Sequence, residues 1–290
     1  SRGYMMGYFG GGILLAVNLV MIMVLPEVFP QLGKGLMTRL SFVTVALWWF
    51  GFTLPLLFKV KEPLRRIEEG EEDLHPIRAS LIRLKKTFLD LKKYRDLSLG
   101  LLAFWIYANG IGTIITMATI YGKELNFSDT TLIGTLLMVQ ILAAPFAMLF
   151  GWLAKKIGTK KAIYLSLVIY SLIAVAGYFL YHEWQFWVLG AAVATVQGGS
   201  QALSRSMIGK MMPKSKSAEF YGFFSVFEKF ASILGPFIFG VVSRLMNESR
   251  LSIASLILFF GLGLFVLTKV NLERGVKVAS EEEAKLITVK

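Results

Sequence analysis

Glu228 and Lys229 stand side by side inside an apolar stretch, Phe220–Leu245, whose next charge is Arg244. A charge at the centre of a bilayer costs about 2.5–3.5 kcal/mol even on the lenient insertion scale, so such residues face a wet cavity or a partner. Both lie roughly four residues from the midpoint of the stretch, about 6 Å at the helical rise. Neighbours on a helix point about 100° apart. One of the pair is therefore expected to face a cavity, and the other to pair with Arg205 or a polar group on an adjacent helix. Two helices locked by a charge pair is the competing reading. Tyr107, Asn109, Thr113 and Thr116 form a second group, the last three at i, i+4 and i+7; Gln197, Gln201, Ser204 and Arg205 share a helical face in a third. Amides, hydroxyls and cations so arranged can hold a small polar solute, and a carboxylate can carry a proton. The same groups can instead make interhelical hydrogen bonds that only hold a bundle together, at ~0.6 kcal/mol per contact on average. The lone amides Asn18 and Gln140 read as packing contacts.

Residues that other chemistries need are missing. The absence of cysteine from all 290 residues excludes disulfides, cysteine-ligated zinc, iron–sulfur clusters and thiol catalysis. His75 and His182 both fall outside the apolar stretches, so neither a metal site nor a cofactor is expected. No Gly-rich loop followed by Lys-Ser/Thr offers to cradle a nucleotide.

The elements that position the polar groups are eight apolar stretches: Tyr4–Leu25, Leu36–Phe58, Leu97–Tyr121, Thr131–Leu153, Ala162–Tyr181, Trp184–Arg205, Phe220–Leu245 and Leu251–Thr268. They hold five charges (Arg39, Arg205, Glu228, Lys229 and Arg244), whereas the whole chain has 31 basic and 19 acidic residues. A water-soluble fold has no reason to sort charge in this way. A bilayer does, because its ~30 Å core needs about 20 apolar residues per helix. The expected fold is an all-α, multi-pass integral membrane bundle with eight transmembrane helices and the lipid bilayer as its main partner.

The formal net charge of +12 sorts by side: 25 basic residues lie in one set of alternate connections and termini, and five in the other. The positive-inside rule places both ends in the cytoplasm. The basic pI is thereby an orientation signal, and nucleic acid is not expected as a partner. The long connection 59–96 contains Ile77, Leu81, Leu84, Phe88 and Leu91 at helical spacing, with Arg78, Arg83, Lys85, Lys86, Lys92 and Lys93 around them. An amphipathic helix over 76–94 is expected, lying on anionic lipid or packed beneath the bundle. The acidic run Glu68–Asp73 reads as an exposed turn, and the tail after Asn271 as loosely ordered.

Three motifs carry a resemblance. Gly3, Gly7, Gly11 and Gly12 match a helix-packing motif of major facilitator superfamily antiporters, with Tyr8 standing where that motif has Pro. Gly151, Lys155, Lys156, Gly158, Lys160 and Lys161 resemble the superfamily's loop signature, in which Lys155 takes the place of an Asp. Stretches 105–122, 196–206 and 213–222, followed by Phe227–Phe230 and Leu234–Pro236, are similar to the vacuole effluxer-like branch. The resemblance covers essentially 1–270. It implies helices five to twelve of a twelve-helix fold, with four N-terminal helices missing that function would need. It also implies efflux of a small polar solute by alternating access, amino acids being the substrates of eukaryotic members, and a bacterial-type plasma membrane as the location. Loss of the loop's Asp removes the acidic half of its usual charge gate. Many members have Asp where this chain has Asn109; an amide cannot titrate, so proton coupling is not expected there.

The domains read as 1–58, the last two helices of one half; 59–96, the connecting loop; 97–270, a six-helix half; and 271–290, a cytoplasmic tail. Helices C and F (97–121 and 184–205) would line the cavity. A membrane-embedded enzyme and a non-transporting scaffold are the alternatives; one buried carboxylate and no buried histidine argue against the first.

Overall fold

The computed structural model describes residues 2–60, 75–246 and 248–288, and these are almost wholly helical. The acidic run Glu68–Asp73 lies outside them. Helix α1 (Arg2–Leu19) passes through a π-helical turn, Val20–Val24, into the short α2 (Leu25–Val28), and α3 (Lys34–Lys59) follows. Then come α4 (Pro76–Asp90), α5 (Arg95–Glu124), α6 (Asp129–Ile157), α7 (Thr159–Tyr178), α8 (Glu183–Lys210), α9 (Ser217–Met246), α10 (Ser249–Thr268) and α11 (Leu272–Thr288). Every apolar stretch of the sequence lies on a helix. Seven of these helices are long and apolar enough to cross a bilayer. The 28-residue α8 is long enough, about 42 Å at 1.5 Å per residue, but its polar face lowers its apolarity.

Helices α5 to α10 form one packed body, while α1 leans on α6 and α3 packs on α1 and its π-helical and α2 continuation. Small residues set the closest approaches, because helices in lipid associate through contact rather than water exclusion. A Cβ added at Gly198 of α8 would lie 2.7 Å from Ala147 Cβ and 3.3 Å from the Ala143 carbonyl oxygen on α6. Of the four glycines of the α1 motif, Gly11 and Gly12 abut the Gln140 side chain, whereas Gly3 and Gly7 face open space. Asn18 accepts a 2.6 Å hydrogen bond from Thr44, which ties α1 to α3.

Two connections are fixed by specific residues. Gly158 sits at φ +91° between α6 and α7, a left-handed turn suited to glycine. At the opposite end Glu183 accepts from the Ser128 amide at 2.8 Å and its hydroxyl at 3.0 Å, and also from the Thr131 hydroxyl. Those donors hold the Glu183 carboxyl below its ordinary range.

The tail expectation is corrected: residues after Asn271 form the amphipathic helix α11, docked on the bundle. Arg274 donates to Asp96 through Nε at 2.5 Å and through an NH2 group at 2.8 Å, and the Asn271 amide donates to the same carboxylate at 2.8 Å. Lys93 pairs with Glu282 at 2.8 Å, and the Ser215 amide donates to Glu283 at 3.1 Å. Asp96 also holds the Arg274 guanidinium above its ordinary pKa. Charge composition hid this helix, because its partners come from distant segments. Helix α4 is present as expected and touches α9, with the Phe88 and Phe223 rings 6.1 Å apart.

Asp96→Ala removes the carboxylate that accepts from both the Asn271 amide and Arg274, and hydrogen bonds to a charged group contribute about 1.5–3 kcal/mol. The expected outcome is a lower melting temperature and trypsin cleavage after Arg274 and Lys277, neither seen in the parent. A second outcome concerns acid. Because its folded pKa is depressed, Glu183 stabilises the fold above the unfolded value, about 4.5, and this is lost as pH falls through the folded value. Glu183→Gln should flatten the pH dependence of thermal melting in that window.

Candidate functional site

Three helices bring polar side chains together around a cavity of about 290 Å³. Helix α5 contributes Tyr107 between apolar neighbours, α8 contributes Ser200, Gln201 and Ser204, and α9 contributes Glu228, Lys229 and Ser232. Their register is helical: 200, 201 and 204 lie on one face of α8, and 228, 229 and 232 on one face of α9. Tyr107 is fully buried; its hydroxyl donates to Ser204 Oγ at 2.5 Å, and Ser204 in turn donates to the Ser200 carbonyl at 2.6 Å. This relay fixes α5 against α8 and leaves Gln201, Glu228 and Lys229 as the groups free to meet a solute.

The division of labour expected for Glu228 and Lys229 differs in the structure. Both border the cavity and both are exposed on this wall. The cavity is a broad, open cleft, and residues about 100° apart on α9 can flank it together. Neither forms an ion pair with Arg205 among the described residues. Arg205 lies outside the lining: its guanidinium carbon sits 5.2 Å from the Tyr221 ring centre and 5.7 Å from that of Phe224, with the Tyr4 hydroxyl beside it. Cations over aromatic faces gain about 0.5–1 kcal/mol at exposed positions.

The structure separates the other candidates from this cleft. Asn109, 2 % exposed, donates from Nδ2 to the Trp105 carbonyl at 2.6 Å, and Thr113 donates to the Asn109 carbonyl at 2.6 Å. Gly235 of α9 packs directly on Thr113 Oγ1 and that carbonyl, so this pair sits in the seam between α5 and α9. Asn109 Oδ1 is buried and has no hydrogen-bond partner among the described residues. Thr116 is exposed and bonds back to Gly112 at 2.8 Å. Gln197 borders a second cavity of about 310 Å³, mainly apolar, with Gln140, Thr135 and Leu15 on its wall. The two cavities follow one another along the α5–α8 seam, since positions 186, 189, 193, 197, 200 and 204 continue a single face of α8.

In the loop signature, Lys155, Lys156 and Lys161 are exposed, and Lys156 Nζ lies 3.9 Å above the Trp152 ring. Gly151 is half-buried. Lys160 donates to the Thr268 and Val270 carbonyls at 3.2 and 2.5 Å and so caps the end of α10. Sequence reasoning missed Ser200 and Ser232, although each lies four residues from a nominated residue, Ser204 and Glu228, and the helical period was the available signal. Tyr4 and Tyr8 carried no signal, because an aromatic on an apolar helix is normally packing.

The family described as vacuole effluxer Atg22 like matches residues 1–280. The chain belongs to this family. It is 36 % identical over 282 residues to an uncharacterized MFS-type transporter, YxiO, of Bacillus subtilis, covering 97 % of this chain and 65 % of that protein. It is also 26 % identical over 299 residues to autophagy-related protein 22-1 of Penicillium rubens, covering 95 % of this chain and 49 % of the relative. Autophagy-related protein 22 of Saccharomyces cerevisiae is 25 % identical over 319 residues, at 97 % and 58 % coverage. The chain thus spans about half to two thirds of the length of these relatives. An Atg22-like membrane helix bundle accounts for the charge sorting. The Bacillus relative is described as a transporter and the family as an effluxer, neither as an enzyme.

Gly235→Leu should force α9 off the Asn109–Thr113 seam. Overpacking of this kind costs about 1–3 kcal/mol, and the expected result is a lower melting temperature in detergent, with Gly222→Leu, which faces open space, as the unaffected control.

Proposed function

We propose that the cleft between α5, α8 and α9 is one wall of the solute site of a secondary active transporter that works by alternating access. The observation that carries this reading is the exposed Glu228 and Lys229 beside Gln201 on a wall of otherwise apolar helices. Charges on such a face cannot be left against lipid tails, so a second set of helices closes the cleft in the working protein. Four helices N-terminal to Ser1 would complete it, a reading supported by the 65 % and 49 % coverage of the relatives. The solute is small and polar. An amino acid fits best, because a carboxylate and an ammonium stand ready for its two charges. Efflux as the direction comes from the family description. Both ends cytoplasmic is the orientation that 25 basic residues on one side against five on the other support, and the Bacillus relative supports a bacterial-type plasma membrane. Glu228 is the coupling group, since Asn109 does not titrate.

The reading is tested by counterflow of radiolabelled amino acids into proteoliposomes that hold the full-length protein. Glu228→Gln should abolish acceleration by a pH gradient while retaining exchange, and an undiminished pH response would remove Glu228 from coupling. Lys229→Gln should weaken half-saturation about ten- to a hundred-fold, the loss of one charge-assisted hydrogen bond.

A further inference from the structure

The start of α5, the start of α7, the end of α10 and the start of α11 come together: Asp96 binds Arg274 and the Asn271 amide, Lys160 donates to the Thr268 and Val270 carbonyls, and Arg95 and Lys269 line one cleft. The acidic groups there do not match these cations. Asp96, 4 % exposed, is committed to Arg274 at 2.5 Å and to the Asn271 amide at 2.8 Å. Lys160 is committed to the closing carbonyls of α10, and the nearby Lys93 to Glu282 at 2.8 Å. Arg95 and Lys269 are left. Both are exposed and neither forms an ion pair with a carboxylate among the described residues, although Arg95 acts on Asp96 through space and Lys269 Nζ lies 5.3 Å from the Phe265 ring centre. Both line one shallow, open cleft of about 510 Å³.

The rest of the cleft says what kind of anion it suits. Its other walls are Leu91, Leu99 and Ser98, and the Ser98 hydroxyl is already donated to the Leu91 carbonyl at 2.7 Å. Leu99 and Leu102 follow Arg95 at i+4 and i+7 on α5, while Phe265 and Leu262 precede Lys269 at i−4 and i−7 on α10. Leu102, Leu262 and Phe265 are 43 %, 56 % and 62 % exposed. A doubly basic cleft therefore opens onto an apolar track where two membrane-crossing helices end.

We propose that this cleft binds an anionic phospholipid, its phosphate bridged by Arg95 and Lys269 and its acyl chain laid along Leu102, Leu262 and Phe265. Basic pockets at the ends of membrane helices take acidic headgroups. A free phosphate would leave the apolar track unused. A zwitterionic lipid would bring its own cation toward two cations with no carboxylate to receive it. The site is separate from the α5–α8–α9 cleft and does not depend on the transport reading.

Native mass spectrometry of the purified chain, titrated with phosphatidylglycerol or phosphatidylcholine, provides the test. Each basic contact near the surface contributes about five-fold in affinity, so the pair should favour phosphatidylglycerol roughly twenty-five-fold. Arg95→Gln with Lys269→Gln should erase that preference, either substitution alone should reduce it about five-fold, and the exchanged pair Arg95→Lys with Lys269→Arg should keep it. Lys277→Gln, whose exposed ammonium faces Glu281 of its own helix at 3.9 Å, should leave it unchanged. Equal retention of the two lipids by the parent chain, or an unaltered preference in a double variant that melts like the parent, overturns the proposal. Displacement of the lipid by millimolar inorganic phosphate overturns it in favour of a soluble-anion site.

Discussion

A bilayer offers no water to a polar group, and this one constraint organises the chain from backbone to charge. It enforces helices, because each backbone amide must find its carbonyl within the same segment. It also explains how the hydroxyls behave. Thr113, Ser166, Ser171, Ser200 and Ser204 each return their proton to a carbonyl three or four residues earlier. Such a hydroxyl is neutralised by its own helix and makes no demand on a neighbour. Polar groups without that option, the long amides and the charges, had to be gathered where something other than lipid faces them. Gln201, Glu228 and Lys229 meet at the α5–α8–α9 cleft, whereas Gln140 and Gln197 border the second cavity.

Close approach supplies the cohesion that water exclusion cannot. Gly198 against Ala147, and Gly235 against the Asn109 carbonyl, bring backbones together where any side chain would hold them apart. The ends of the helices use a different chemistry, since headgroups and water are available there. Lysine and arginine side chains complete helix ends, as Lys160 does for α10, and bridge segments far apart in sequence, as Arg274 does with Asp96. Packing thus holds the middle of the bundle and ionic hydrogen bonds hold its basic end.

The membrane class was legible in the sequence, and each of the eight apolar stretches falls on helix, seven of them long and apolar enough to cross a bilayer, because charge segregation and span length follow directly from the thickness of hydrocarbon. The amphipathic α4 was legible from its period. The site was legible only in part. Tyr107, Gln201, Ser204, Glu228 and Lys229 come together because polarity within an apolar run is itself the signal. Asn109 and Thr113 carry the same signal yet lie in a seam, since one helix face gives no indication of whether its neighbour is a cavity or a glycine. Gln197 shares the face of Gln201 but sits about a turn farther along, beside a different cavity. Helix α11 was missed altogether: its order comes from Asp96, 178 residues away from Arg274, and no local pattern records such a bond.

Docking of α11 means that two ways of drawing the edge of the C-terminal unit disagree. Hydropathy ends it at Thr268, where the last apolar run stops. Connectivity of hydrogen bonds carries it on to Glu283, which receives the Ser215 amide from the α8–α9 turn. A chain cut at the hydropathic edge would keep every membrane-crossing segment and yet strip a buried carboxylate of both its partners. For this fold, the shortest sequence that spans the membrane and the shortest that satisfies its own polar groups are different lengths.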